Sequence, residues 1–180
     1  ATYGEGFETP TFAELAYRPD GQPGLNFALE PAISRNYEAG VKAFVGAATR
    51  VNLALFLIET KDEIVTARSA GGRASFANAS KTRRTGLELA ADTAFGGGFT
   101  GYAAYTWIDA EFTDYANPFS TQNLSGKKLP GVPGSSLYGE VAWRHAGTGF
   151  TTALEARYSA KVYADDANAF SAPSYWVFNW

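Results

Sequence analysis

The chain has no cysteine and one histidine, His145, among its 180 residues. Without thiols there is no disulfide framework, no thiolate metal site and no cysteine nucleophile, and the redox compartment stays open. A basic excess is also missing. The formal net charge is −3, and no clustered cationic surface of the kind that displaces counterions from phosphates is implied, so no nucleic-acid partner is expected. No run approaches the roughly 18 apolar residues of a membrane-crossing helix, and residues 1–20 show no charged start followed by an apolar core. A helical span and a signal peptide are therefore not expected here. Neither a glycine-rich phosphate loop ending in Lys-Ser/Thr nor a G-x-S-x-G turn occurs, and no enzyme is expected. His145 lies beside Arg144 and lacks the companions that a metal centre needs, so it reads as structural or solvated, with no metal or cofactor.

What is abundant points to strands. Aromatic residues reach 15%, with 13 Phe, 10 Tyr and 4 Trp, beside 19 Gly, a mixture suited to strands and tight turns. The clearest stretch is Thr85 to Ile108, where two alternating runs flank Gly96-Gly97-Gly98 and predict a hairpin. Leu87, Leu89 and Ala91 share one side against Glu88, Ala90 and Asp92. On the return, Phe99, Gly101, Ala103, Tyr105 and Trp107 oppose Thr100, Tyr102, Ala104, Thr106 and Ile108.

Further strands are expected at 1–6, 34–45, 51–65, 75–95, 137–144, 150–158 and 175–180, with one helical turn near 12–17. About eight strands form one domain, 1–180. Connections alternate in length: long at 7–33, tight near Ala48, moderate at 67–74, tight at Gly97, long at 117–134, tight at Gly147, long at 160–173. A meander places successive connections at opposite ends, so tight turns gather at one end and longer loops at the other, as in outer-membrane barrels. The fold class expected is all-β, an antiparallel up-and-down meander that is a partial segment of a large transmembrane β-barrel. A soluble ligand-binding β-barrel is the alternative from another class; it would fold its apolar face inward.

Several stretches carry a resemblance. They are Tyr3-Gly4-Glu5-Gly6-Phe7-Glu8-Thr9-Pro10 through Glu14-Leu15, and Leu29-Glu30-Pro31 through Tyr37-Glu38-Ala39-Gly40-Val41-Lys42. Phe56 with Asp62-Glu63-Ile64-Val65, then Asn78-Ala79 and Thr82-Arg83-Arg84-Thr85-Gly86-Leu87-Glu88-Leu89 follow, and Gly126 through Pro133 completes the set. In this order they resemble the C-terminal part of the barrel of TonB-dependent outer-membrane receptors, particularly those for ferric siderophores. The resemblance implies a barrel of about 22 strands, of which this chain supplies some eight, with the plug, the TonB box and earlier strands expected outside it. It implies location in the outer membrane of a Gram-negative bacterium. The implied partners are a ferric siderophore, outer-membrane lipid, and TonB through a region beyond this chain. Receptors for haem, cobalamin or another metal chelate are the nearest alternatives. The fragment by itself is not expected to transport.

Individual side chains fit that frame. Lys81, Arg83 and Arg84 form a basic cluster suited to an anionic ferric chelate, since the guanidinium fork matches such acceptors; pairing with a carboxylate such as Glu88, or with lipid phosphate, is the competing reading. Asp109, Glu111, Asp114, Asp165 and Asp166 are expected as solvated loop charges, without the ligand order of a calcium loop. Glu38, Glu88, Glu140, Glu155 and Arg157 suit a polar lumen. Tyr37, Phe99, Tyr105, Trp107, Trp143, Phe150, Tyr158, Tyr175 and Trp176 are candidates for interfacial aromatic girdles.

Overall fold

A computed structural model of the chain describes residues 1–115 and 122–180, with backbone only at residues 79 and 80. Eight strands form one antiparallel sheet. They are β1 (Thr2–Glu8), β2 (Ala32–Val45), β3 (Thr49–Ala70), β4 (Arg73–Gly96), β5 (Phe99–Asp114), β6 (Ser135–Arg144), β7 (Thr151–Ser159) and, after a two-stranded ribbon of β8 (Val162–Tyr163) and β9 (Ser171–Ala172), β10 (Tyr175–Asn179). Apart from β10, which pairs with β7 across that ribbon, each strand lies beside its sequence neighbour. The meander expected from the alternating pattern is the observed topology. The helical turn is present as α1 (Phe12–Leu15), opened by a capping box in which the Thr11 amide donates to Glu14 Oε2 at 2.7 Å and the Glu14 amide donates to Thr11 Oγ1 at 3.4 Å.

Connections at 46–48, 97–98 and 145–150 lie at one end, and those at 9–31, 71–72 and 160–174, with residues 115 and 122–134, at the other. One expectation needs correcting. The connection expected to span 67–74 is a tight turn at Gly71-Gly72, both at positive φ (59° and 75°), the geometry that joins two twisted strands directly. With that turn so short, β3 and β4 run 22 and 24 residues, about twice the ~11 that cross a bilayer. The long hairpin projects beyond its neighbours. The expected loop at 117–134 is partly outside the described residues, at 117–121.

Register fixes two chemically distinct faces. One carries Tyr37, Val41, Leu53, Leu55, Leu57, Leu87, Leu89, Tyr105, Trp107, Leu137, Val141, Trp143, Leu154, Tyr158, Trp176 and Phe178. The other carries Glu38, Lys42, Asn52, Glu88, Asp92, Tyr102, Tyr138, Glu140, Glu155 and Arg157 across the same strands. The alternations read in 85–108 therefore hold across the sheet. On the polar face Arg50 Nε donates to Asp92 at 2.9 Å, the Tyr138 hydroxyl donates to Glu140 at 3.0 Å, and Arg157 lies over the Tyr138 ring at 5.2 Å.

The apolar face is not covered. Leu55, Val141 and Leu154 are 54%, 50% and 64% exposed, opposite to the soluble barrel, which would seal them inside. Among the described residues the buried apolar cluster is Ala110, Phe112, Tyr115, Leu124 and Leu129, at the long-loop end. There residues 126–129 run along β5, with the Phe112 amide donating to the Lys127 carbonyl at 2.9 Å and the Leu129 amide to the Ala110 carbonyl at 3.0 Å. Small residues allow close approach elsewhere. A Cβ at Gly86 would lie 2.4 Å from the Phe56 ring and 2.5 Å from the Trp107 carbonyl oxygen, so this position of β4 admits only glycine without displacement.

Tyr175 departs from its expected girdle role. It pairs with Ser159 and so faces the polar side, while Trp176 pairs with Tyr158 on the apolar side with ring centroids 5.0 Å apart. A one-residue offset inverts facing, and the terminal run is aromatic at both parities.

Candidate functional site

The basic cluster of β4 does not converge. Lys81 and Arg83 share the face of Leu87 and Leu89, and Arg84 projects from the other. Arg84 forms a two-pronged ion pair with Glu63, one prong at 3.1 Å, and its Nη1 also donates to Thr60 at 3.4 Å and Thr82 at 3.2 Å. The Thr82 hydroxyl donates to the same Glu63 carboxylate. Thr60 and Thr82 are buried, and the pair itself is about four-fifths shielded. The partner is thus Glu63 of the projecting hairpin, not Glu88, which stands between Ala54 and Thr106.

On the opposite face Arg83 belongs to a row of alternating charge. Paired positions run Glu5, Arg35, Glu59, Arg83, Glu111 and Lys128 across the strands. Arg35 reaches Glu5 at 3.5 Å, Arg83 reaches Glu111 at 2.7 Å, and Lys128 reaches Glu111 at 3.3 Å and also Asp109. Cross-strand opposites of this kind attract. The hydrogen bond from Arg83 holds the Glu111 carboxyl below the usual carboxylate range, and the bond to Asp109 raises the Lys128 ammonium. Asp109 and Glu111 are strand residues in a network rather than the solvated loop charges expected.

Asp165 and Asp166 are likewise engaged. Asp165 accepts from the amides of Ala169 and Phe170, at 3.2 and 2.8 Å, closing the turn between β8 and β9. Asp166 accepts from the Tyr115 hydroxyl at 3.3 Å, and burial pushes its carboxyl above the ordinary value. Asn168, at φ 58°, clips this turn to residue 128: its Oδ1 accepts from the Lys128 amide at 2.7 Å and its Nδ2 donates to the Lys128 carbonyl at 2.8 Å. Asp114 is an exposed residue at the end of β5. His145 closes its turn by accepting from the Thr148 amide at 3.2 Å, with its ring edge-on to Trp143.

The loops add a cleft that sequence reading missed. Between the 9–31 connection and the tip of the β3–β4 hairpin lies a cleft of about 580 Å³, lined by Tyr17, Arg18, Leu25, Arg68, Arg73 and neighbours. Arg73 stacks over the Tyr17 ring at 5.1 Å, while Arg18 is tied to Asp20 at 2.5 Å. Arg68 has no side-chain partner among the described residues. The loop is held there by Asn26, whose Nδ2 donates to the Phe76 carbonyl at 2.9 Å, and by reciprocal bonds between Glu30 backbone and Asn78 at 2.8 and 2.9 Å. The only sequence hint was the scatter of arginines beside tight glycines; their meeting depends on pairing across more than forty residues.

An uncovered apolar sheet face, a charged opposite face, and short turns at one end with longer connections at the other are the features of a section of a transmembrane β-barrel. The chain belongs to the family described as TonB dependent receptor-like, beta-barrel, which it matches over residues 1–180. It is 29% identical over 159 residues to the ferrioxamine receptor of Yersinia enterocolitica, covering 87% of this chain and 21% of that protein. Its fold resembles the ferric yersiniabactin uptake receptor FyuA of Yersinia pestis, with TM-score 0.68, 21% identity, and 98% of this chain against 25% of that one. The copper transporter OprC superposes with TM-score 0.72 at 15% identity, covering 98% and 26%. The chain thus spans about a fifth to a quarter of the length of the proteins it matches. The family is one of Gram-negative outer-membrane receptors and transporters rather than enzymes.

Proposed function

We propose that the chain is part of an outer-membrane receptor that binds and imports a ferric siderophore, with its apolar face against lipid and its polar face toward the lumen. The observation carrying the cargo assignment is the 29% identity to a ferrioxamine receptor across most of the chain. The geometry supports the orientation. Phe99 and Trp107, on the apolar face of β5, stand about 27 Å apart along the strand, or about 21 Å across a membrane at a tilt of roughly 40°. That approaches the height of the apolar band between aromatic girdles.

In this reading the loop-tip cleft with Tyr17, Arg68 and Arg73 meets an anionic chelate first, and Arg84 lies on the lumen side of its path. Energy from TonB enters through a part of the receptor outside this chain, and no catalysis is involved. The test is a deletion strain of the full-length receptor grown with single iron sources, ferrioxamine first, then other siderophores, haem and, separately, cobalamin and copper. Loss of growth on a ferric siderophore, restored by the intact gene, is expected. Normal growth on every siderophore with a defect confined to haem, cobalamin or copper would overturn the cargo assignment.

A further inference from the structure

We propose that Asn78 and Asn26 are positioning residues of the loop-tip cleft: they hold its two walls together before any cargo arrives, so that Tyr17, Arg68 and Arg73 meet it as one assembled site. This rests on the cargo reading given above and extends it to two residues that line no part of the cleft.

The walls come from segments far apart in sequence. One is the 9–31 connection, which carries Tyr17, and the other is the end of the β3–β4 hairpin, which carries Arg68 and Arg73. Within the cleft they meet where the Arg73 guanidinium lies over the Tyr17 ring at 5.1 Å. An exposed cation–ring contact is weak beside the entropy of ordering so long a connection. The order has to come from elsewhere.

Two side-chain amides supply it. Asn78 is a strand residue of β4, a setting in which Asn is depleted, yet each end of its amide is engaged. Its Oδ1 accepts from the Glu30 amide at 2.9 Å, and its Nδ2 donates to the Glu30 carbonyl at 2.8 Å and to the Asp62 carbonyl at 2.6 Å. The reciprocal pair with Glu30 copies a backbone bridge between adjacent strands. The third bond reaches β3 at Asp62, whose φ of 57° turns it out of extended geometry. One side chain thereby joins the connection to both strands of the hairpin. Two positions nearer the tip, Asn26, only 6% exposed, donates from Nδ2 to the Phe76 carbonyl at 2.9 Å, and its own amide donates to the Leu15 carbonyl at 2.8 Å, where α1 ends.

The hairpin wall has a matching device. A register shift between Thr66 and Arg68 re-aims the strand, and the Ser75 hydroxyl donates to the Arg68 carbonyl at 3.4 Å. Arg18 is already tied to Asp20, so Arg68 and Arg73 are the cations offered to cargo. A cleft that is assembled only part of the time binds more weakly in proportion to that fraction.

The experiment uses the full-length receptor, with any other thiols removed and spin labels on thiols placed at Ala13 and Ser69, one on each wall and outside the lining. Asn78→Leu keeps roughly the side-chain volume and removes its donors and acceptor; Asn26→Ala is the second variant. The cargo is the ferric siderophore that supports growth in the strain test, ferrioxamine first. Without cargo, the unmodified receptor should give one narrow label-to-label distance by pulsed electron resonance, and each variant a broad distribution that cargo narrows. Apparent affinity should fall roughly tenfold, as for a competent state reduced to about a tenth, while the unfolding temperature of the barrel is unchanged. Equal distance distributions in the unmodified receptor and both variants overturn the proposal, as does a broad distribution with affinity intact. An unfolding temperature that drops in step with affinity also overturns it, assigning the asparagines to barrel stability. Distances that broaden as expected in a receptor that binds no ferric siderophore would refute the cargo reading and leave the assembled walls standing.

Discussion

At the scale of single residues, the largely shielded pair of Arg84 and Glu63 is the most consequential contact. Removing one partner leaves the other shielded from water with its hydrogen bonds broken. Arg84→Ala in the full-length receptor should cost about 1–2 kcal/mol, with exposure moderating the loss, read as a lower temperature for the mobility shift of the folded barrel in detergent gels. The double change Glu63→Gln/Arg84→Gln should cost less than the two single changes added together; strict additivity would show that the pair is not coupled. Gly86→Val is expected to be worse tolerated than Gly139→Val, because the Phe56 ring occupies the first position and nothing lies within 4 Å of a Cβ at the second. In the cleft, Arg68→Gln/Arg73→Gln should weaken ferric-chelate binding roughly tenfold while leaving barrel stability intact; unchanged binding would remove the cleft from the cargo path.

Among the elements, the loop bound to β5 answers to pH in two opposing ways. Glu111 titrates below its ordinary value, so the attachment it gives through Arg83 and Lys128 is present above that value and lost as pH falls through the lowered one. Lys128 is raised, so its contribution is complete below its ordinary value and lost as pH rises through the higher one. Asp166 is also raised, and for a carboxyl the consequence reverses: its folded form favours the proton, and stability falls as pH climbs from the ordinary value to the raised one. Asp166→Asn should therefore slow hydrogen exchange at 122–132 at neutral pH, and lose that advantage in acid. Equal exchange at both pH values would contradict the assignment.

The same elements mark how far sequence could reach. Strand parity was legible because hydrophobic alternation in runs such as 85–108 directly encodes facing. The hairpin tip is not: residues 66–78 carry no apolar alternation, so the two glycines at 71–72 read as part of a moderate loop. The cluster Lys81, Arg83 and Arg84 was visible as composition, but consecutive positions in a strand cannot share a face, and Arg84 parts from Lys81 and Arg83. Pairing with Glu63 and Glu111 depended on register across 21 and 28 residues, which local pattern does not supply.

For the molecule as a whole, the sheet has two open edges, β1 and β10, and an exposed apolar face. The isolated 180-residue chain is expected to self-associate in detergent-free buffer, because unpaired edge amides and uncovered leucines both recruit further copies. A monodisperse monomer by light scattering would count against that. The placing of lumen, loop cleft and cargo path all follows from which side of the sheet meets hydrocarbon. The stretch contains no native cysteine, so single thiols introduced along β3 at 51–58 can carry a spin label in the reconstituted full-length receptor. Oxygen, which partitions into lipid, should relax labels at 51, 53, 55 and 57 far more than those at 52, 54, 56 and 58, and a water-soluble nickel chelate should show the reverse. An absent or inverted two-residue period would contradict the assignment of the apolar face to lipid.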